Sequence, residues 1–154
     1  MHKLDATDRK IIAHLQAEGR MSNAELSERI NLSPSACLRR VNKLEEDGVI
    51  DGYAMLVNQA AIGKPSNIFV EITLNSQSEE SLDAFEAAVM ACGDVMECYL
   101  MSGDSDYLLR IAAADANDYE YIHRNYLSRL PGVARIRSNF TLRKIKNITA
   151  FPLA

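Results

Sequence analysis

From Ser33 to Leu44 the chain reads Ser-Pro-Ser-Ala-Cys-Leu-Arg-Arg-Val-Asn-Lys-Leu, with Arg39, Arg40 and Lys43 as cations and no acid. At 100° per residue, Cys37, Val41 and Leu44 share one helical face, while Ser35, Arg39, Asn42 and Lys43 fall opposite and Ala36 and Arg40 lie on the flanks. Guanidinium and ammonium groups so spaced suit phosphates or guanine edges, and the small Ser35 and Ala36 let a helix approach bases closely. A solvated basic face on an ordinary three-helix bundle has the same pattern, so spacing alone leaves both readings open.

Other chemistry is thinly represented. Cys37, Cys92 and Cys98 are an odd count, with no C-x-x-C pair and no Cys–His spacing suited to zinc. A reduced compartment is expected, with no disulfide and no metal site. The chain has no G-x-G-x-x-G, no P-loop and no nucleophile elbow. No catalytic residue and no cofactor are therefore assigned. His123 lies beside Arg124 and Arg129, with Tyr119, Tyr121 and Tyr126 nearby, a cluster that a helix face packed on a sheet explains.

Three short helices must position the basic face. Asp5 is a suitable N-cap with Asp8 three residues on, Ile11, Ile12 and Leu15 follow at helical spacing, and Gly19 closes the segment. Ser22 and Glu25 have capping-box spacing ahead of Leu26 and Ile30. Asn31 tolerates the left-handed backbone of a tight exit, Ser33 caps the third helix, and Pro34 fits its first turn. Gly48 ends it. Two helices joined by so short a turn, the second basic on its outer face, describe a helix-turn-helix whose second helix can enter the major groove of double-stranded DNA.

Downstream the period changes. Residues 53–66 read as an extended linker closing with Gly63 and Pro65. Strands are expected at 67–74, 95–101, 107–113 and 134–142, and helices at 79–91 and 116–130, with the turn-rich Ser102-Gly103-Asp104-Ser105-Asp106 joining the middle strands. The order βαββαβ is the ferredoxin-like motif, an antiparallel sheet with helices on one face. Its other face needs cover, and pairing of two copies across that face would give a two-fold protein for a two-fold DNA site. The expected fold is α+β, with a helix-turn-helix (winged-helix-like) domain at 1–52 and a ferredoxin-like domain at 67–154.

Composition sets the outer limits. The 154 residues are 47% hydrophobic and 25% charged with a net charge of −4, which excludes disorder and a uniformly basic nucleic-acid coat. The charge is uneven. From Tyr121 onward there is no acid, against Arg124, Arg129, Arg135, Arg137, Arg143, Lys144 and Lys146, a stretch read as a solvated face. Acids at Asp5 and Asp8 stand where a signal peptide needs an apolar run, and no stretch approaches the roughly 20 apolar residues of a membrane helix. A cytoplasmic protein without membrane contact is expected.

Several runs together resemble the Lrp/AsnC (leucine-responsive and asparagine-responsive) transcription regulators. They are Leu4-Asp5, Asp8-Arg9, Gly19-Arg20-Met21-Ser22-Asn23, Leu32-Ser33-Pro34-Ser35, Gly48-Val49-Ile50, Glu97-Cys98-Tyr99-Leu100-Met101-Ser102-Gly103-Asp104 and Leu130-Pro131-Gly132-Val133. Asn31 departs from the glycine frequent in that turn. The resemblance implies a regulator of amino-acid metabolism, with Ser22, Ser33, Ser35, Ala36, Arg39, Arg40 and Lys43 toward DNA. It also implies homodimers assembling further, often to octamers. A small effector, typically an amino acid, would bind between dimers at Met101, Ser102, Gly103, Asp104 and Asp106. Backbone amides there can hold a carboxylate and an aspartate can pair with an ammonium. Competing expectations are an enzyme like the siroheme decarboxylases acting through His123, and an amino-acid-sensing module without DNA binding.

Overall fold

A computed structural model describes residues 3–153, which form two compact units. One takes the chain up to Leu56 together with the segment from Ile145 onward, and the other is Val57–Lys144.

In the first unit, helix α1 spans Ala6–Ala17. Its capping box is closed by Asp8 N–H donating to Asp5 Oδ1 at 2.8 Å and Asp5 N–H to Asp8 Oδ2 at 3.2 Å, which satisfies two amides at the helix start. Helix α2, Asn23–Arg29, begins the same way between Ser22 and Glu25. Asn31 turns the chain at φ 56°, and helix α3, Pro34–Glu46, starts from the Ser33 cap. Gly48, at φ +68°, ends α3 in the left-handed conformation a side chain disfavours. Ile11, Met21, Leu26, Ile30, Cys37 and Leu44 form the core, with Leu32 and Val41 packed against it. The described residues of this unit contain no β-strand.

The unit also holds the end of the chain. Phe151 N–H donates to Gln16 Oε1 at 2.6 Å, and Gln16 Nε2 donates back to the Phe151 carbonyl at 3.1 Å. Residues 145–154 were expected with the sheet, as part of 67–154. In the structure residues 145–153 group by contact with the helices, and one glutamine amide on α1 satisfies both polar groups of the Phe151 backbone. At the other boundary, residues from Val57 group with the sheet, where the Gln59 side chain bonds the Ser66 carbonyl and Asn67.

The second unit is built on strands β1 (Ser66–Leu74), β2 (Val95–Leu100), β3 (Tyr107–Ala113) and β4 (Val133–Phe140), with helices α4 (Glu79–Met90) and α5 (Ala116–Asn125). Strand order is β2-β3-β1-β4 and every pairing is antiparallel, the ferredoxin-like arrangement. Ile68, Val70, Ile72 and Leu74 alternate along β1 into a core shared with Leu109 and Ile111 of β3, Phe85 and Val89 of α4, and Tyr119 and Ile122 of α5. The helix expected over 116–130 stops at Asn125 and resumes as a 3₁₀ turn, Leu127–Arg129. There the Ser128 hydroxyl donates to the His123 carbonyl, the acceptor that the Leu127 N–H would use if the helix continued. Among the described residues no helix is long and apolar enough to cross a membrane.

Candidate functional sites

Helix α3 is aimed by its cap and its neighbour. The Ser33 hydroxyl accepts from Ala36 N–H at 3.3 Å, Ser35 lies 3.3 Å from it, and the Asn23 amide on α2 donates to the Pro34 carbonyl at 2.8 Å. Cys37 and Leu44 are buried beneath. Ser35, Arg39, Asn42 and Lys43 consequently point outward, and together with Lys3, Leu38, Arg40 and the acids Asp5, Asp8 and Glu46 they line an open groove of about 700 Å³.

The three cations differ in what holds them. Arg39 is exposed and makes no ion pair or hydrogen bond with any described residue. Lys43 pairs with Asp47 one turn on at 2.6 Å, yet its side chain stays 57% exposed, and the carboxylate pushes its ammonium pKa up. Arg40 is fastened inward. Its Nη1 lies 2.8 Å from Asp5 Oδ2 and 2.8 Å from the nearly buried Asp8 Oδ1, joining α3 to the cap of α1. The carboxyl of Asp5 is held below its ordinary range first by Asp8 N–H and then by Arg40. Arg40, expected toward DNA, makes both of these ion pairs within its own chain, with its side chain one-third exposed. Ser22 is likewise committed to its cap, with its hydroxyl donating to Glu25 Oε2 at 2.7 Å. Lys3 was missed by the periodicity, since only the folded groove brings it near Arg39; Leu38, next to Arg39 in the chain, also lines the groove.

The turn between β2 and β3 divides its residues in the same way. Met101, Ser102, Gly103 and Asp104 are exposed, and Asp104 has no partner among the described residues. A Cβ at Gly103 would meet nothing within 4 Å. Asp106 is 7% exposed, its Oδ2 accepting from Leu74 N–H at 2.7 Å and its Oδ1 from the Gln77 amide at 2.7 Å. Its own N–H donates to the Ile72 carbonyl and its carbonyl accepts from Met101 N–H, both at 2.8 Å. Asp106, expected beside an effector, is therefore the bolt that locks the end of β1 to the start of β3. A buried carboxylate needs such donors, and the fold supplies them. His123 contacts the edge of Tyr119 and lies 3.3 Å from the Ser128 hydroxyl.

A capped, outward-facing basic helix in one unit and a separate ferredoxin-like unit define a helix-turn-helix DNA-binding protein with an accessory α+β domain. Residues 4–51 match the winged helix-turn-helix DNA-binding family and residues 67–151 match the Lrp/AsnC ligand binding domain. The leucine-responsive regulatory protein of Salmonella typhimurium is 43% identical over 143 residues, covering 93% of this chain and 87% of that protein. A Neisseria meningitidis transcriptional regulator solved with L-methionine superposes at a TM-score of 0.91 with 35% identity over 97% of both chains. The feast or famine regulatory protein of Mycobacterium tuberculosis, also solved with L-methionine, gives 0.85 with 32% identity over 94% of this chain and 96% of that one. The chain belongs to the Lrp/AsnC family of transcriptional regulators.

Proposed function

We propose that the chain regulates transcription in amino-acid metabolism by binding double-stranded DNA through α3, under control of an amino acid bound by its second unit. The observation that carries this is Arg39, an unpaired cation on the outward face of a helix fixed at both ends. Ser35, Ala36 and Lys43 complete the contact surface, the Ser33 hydroxyl stands at its entrance, and Arg40 positions α3 rather than touching bases. Lys43 can exchange Asp47 for a phosphate at little cost, because exposed i,i+4 pairs are weak.

The effector reading rests on the exposed Met101–Asp104 segment, where Asp104 can meet an ammonium and backbone amides a carboxylate. The solved regulators carrying L-methionine favour an apolar amino acid. A homodimer through the helix-free face of the sheet would cover Phe69, Leu108 and the 51%-exposed Tyr99, and further assembly of dimers would set copies of the turn against one another. A thermal-shift screen of the twenty amino acids, followed by promoter gel shifts with and without any that bind, tests the whole. One amino acid should raise the melting temperature, by about 2.7 kcal/mol of stability at a hundredfold excess over Kd, and change DNA affinity. No stabilising amino acid and no shifted DNA would refute it.

A further inference from the structure

We infer that Asn42 is a base-reading residue of α3, selecting an adenine one or two base pairs from a guanine taken by Arg39. The inference rests on the DNA-binding reading of α3 and names the bases that its outward row selects. Ser35, Arg39 and Asn42 stand at i, i+4 and i+7, a single row along one face of the helix. All three are exposed and line the same open groove, while Cys37 and Leu44 are buried beneath. The Ser35 hydroxyl is occupied by Ser33, 3.3 Å away. Arg39 and Asn42 differ, for neither has an ion pair or hydrogen bond to a described residue.

What distinguishes Asn42 from its basic neighbours is that its amide offers an acceptor, Oδ1, beside the Nδ2 donors. In the major groove adenine presents the complement, an N7 acceptor beside an N6 donor, whereas guanine presents two acceptors, N7 and O6. Asn42 therefore matches adenine and Arg39 matches guanine, each through two hydrogen bonds. A phosphate would use only the donors of Asn42 and leave its acceptor idle. Glu46, four residues on in the same row and lining the same groove, is an acid that phosphate repels. The three residues from Arg39 to Asn42 rise about 4.5 Å along the helix, against about 3.4 Å per base pair, so the two side chains reach base pairs one or two apart.

The test is selection of duplexes from a random-sequence library by the full-length protein, for wild type, Arg39→Ala and Asn42→Ala, followed by anisotropy titration of the enriched duplex. Wild type should enrich a guanine and an adenine one or two positions apart. Asn42→Ala should keep its melting temperature and the guanine preference but lose the adenine, and Arg39→Ala should lose the guanine. Exchanging that adenine's pair for G·C should weaken wild-type binding roughly 5- to 150-fold and Asn42→Ala binding less than about twofold. Replacing the adenine by 7-deazaadenine, which lacks the N7 acceptor, should weaken wild type and leave Asn42→Ala unaffected. An adenine preference kept by Asn42→Ala overturns the inference, as does wild-type affinity for the 7-deazaadenine duplex. A loss in Asn42→Ala spread equally over all sequences marks a phosphate contact and also overturns it. If wild type binds duplexes but enriches no sequence, the base assignment alone falls. If it binds no duplex, the DNA-binding reading falls and the assignment with it.

Discussion

The α3 face and the β2–β3 turn are built on one plan. Each sets two like-charged side chains close together in sequence and gives them opposite duties. On α3, Arg40 is bound to Asp5 and Asp8 while Arg39 beside it is unpaired. In the turn, Asp106 is locked to Leu74 and Gln77 while Asp104 is exposed. The fold takes one charge of each pair for itself and leaves the other exposed. The two regions differ in cost: Arg40 is fastened at a half-open surface, whereas Asp106 is buried, so loss of the structural member should hurt far more in the turn.

The sharpest way to break the comparison is Asp106→Ala. It leaves the Leu74 amide and the Gln77 side chain without their acceptor and should destabilise the second unit by about 3 kcal/mol in urea unfolding. A change below about 0.5 kcal/mol would place Asp106 among ordinary surface residues. Arg40→Ala should cost about 1 kcal/mol of stability in the first unit, discounted because the side chain is one-third exposed, and DNA affinity should fall only as α3 loosens. Asp104→Ala should leave unfolding unchanged within about 0.5 kcal/mol yet abolish the amino-acid thermal shift. A retained shift would move the effector elsewhere.

The smallest effect is a pH dependence. Asp5 and Glu25 both titrate below their ordinary values of 3.8 and 4.5, Asp5 because of Asp8 N–H and Arg40, Glu25 because of the Ser22 hydroxyl and amide. Carboxyls depressed in the folded state bind fewer protons there than when unfolded. Their stabilisation is therefore complete above 4.5 and drains away as pH falls through 3.8 toward the folded values. Thermal melts of Glu25→Gln should show less of this acid loss than wild type; an equal loss would assign it to other groups.

Much of the fold was legible because its signals are local. Asp5 with Asp8, Ser22 with Glu25, and Ser33 with Pro34 announce three helix starts within a few residues each, and Asn31 takes the left-handed turn expected of it. The change of period downstream placed β1 and β3 equally well. The division of labour among charges was not legible. Asp5 and Asp8 read as helix caps, and nothing within a few residues shows that Arg40, more than thirty positions later, returns to them. Asp104 and Asp106 look equivalent in a turn, and only the pairing of Ile72 with Tyr107 buries one of them. The Gln16–Phe151 clamp joins residues 135 positions apart and has no sequence signal.

Arg39→Ala, assayed by fluorescence anisotropy on promoter DNA beside Arg40→Ala, tests the central claim most directly. Loss of a base or phosphate contact should weaken binding by about 1–3 kcal/mol in Arg39→Ala, with melting temperature unchanged. Arg40→Ala should show the reverse balance, a lower melting temperature and a smaller binding loss. Wild-type affinity in Arg39→Ala would contradict the claim that the outward face of α3 meets DNA.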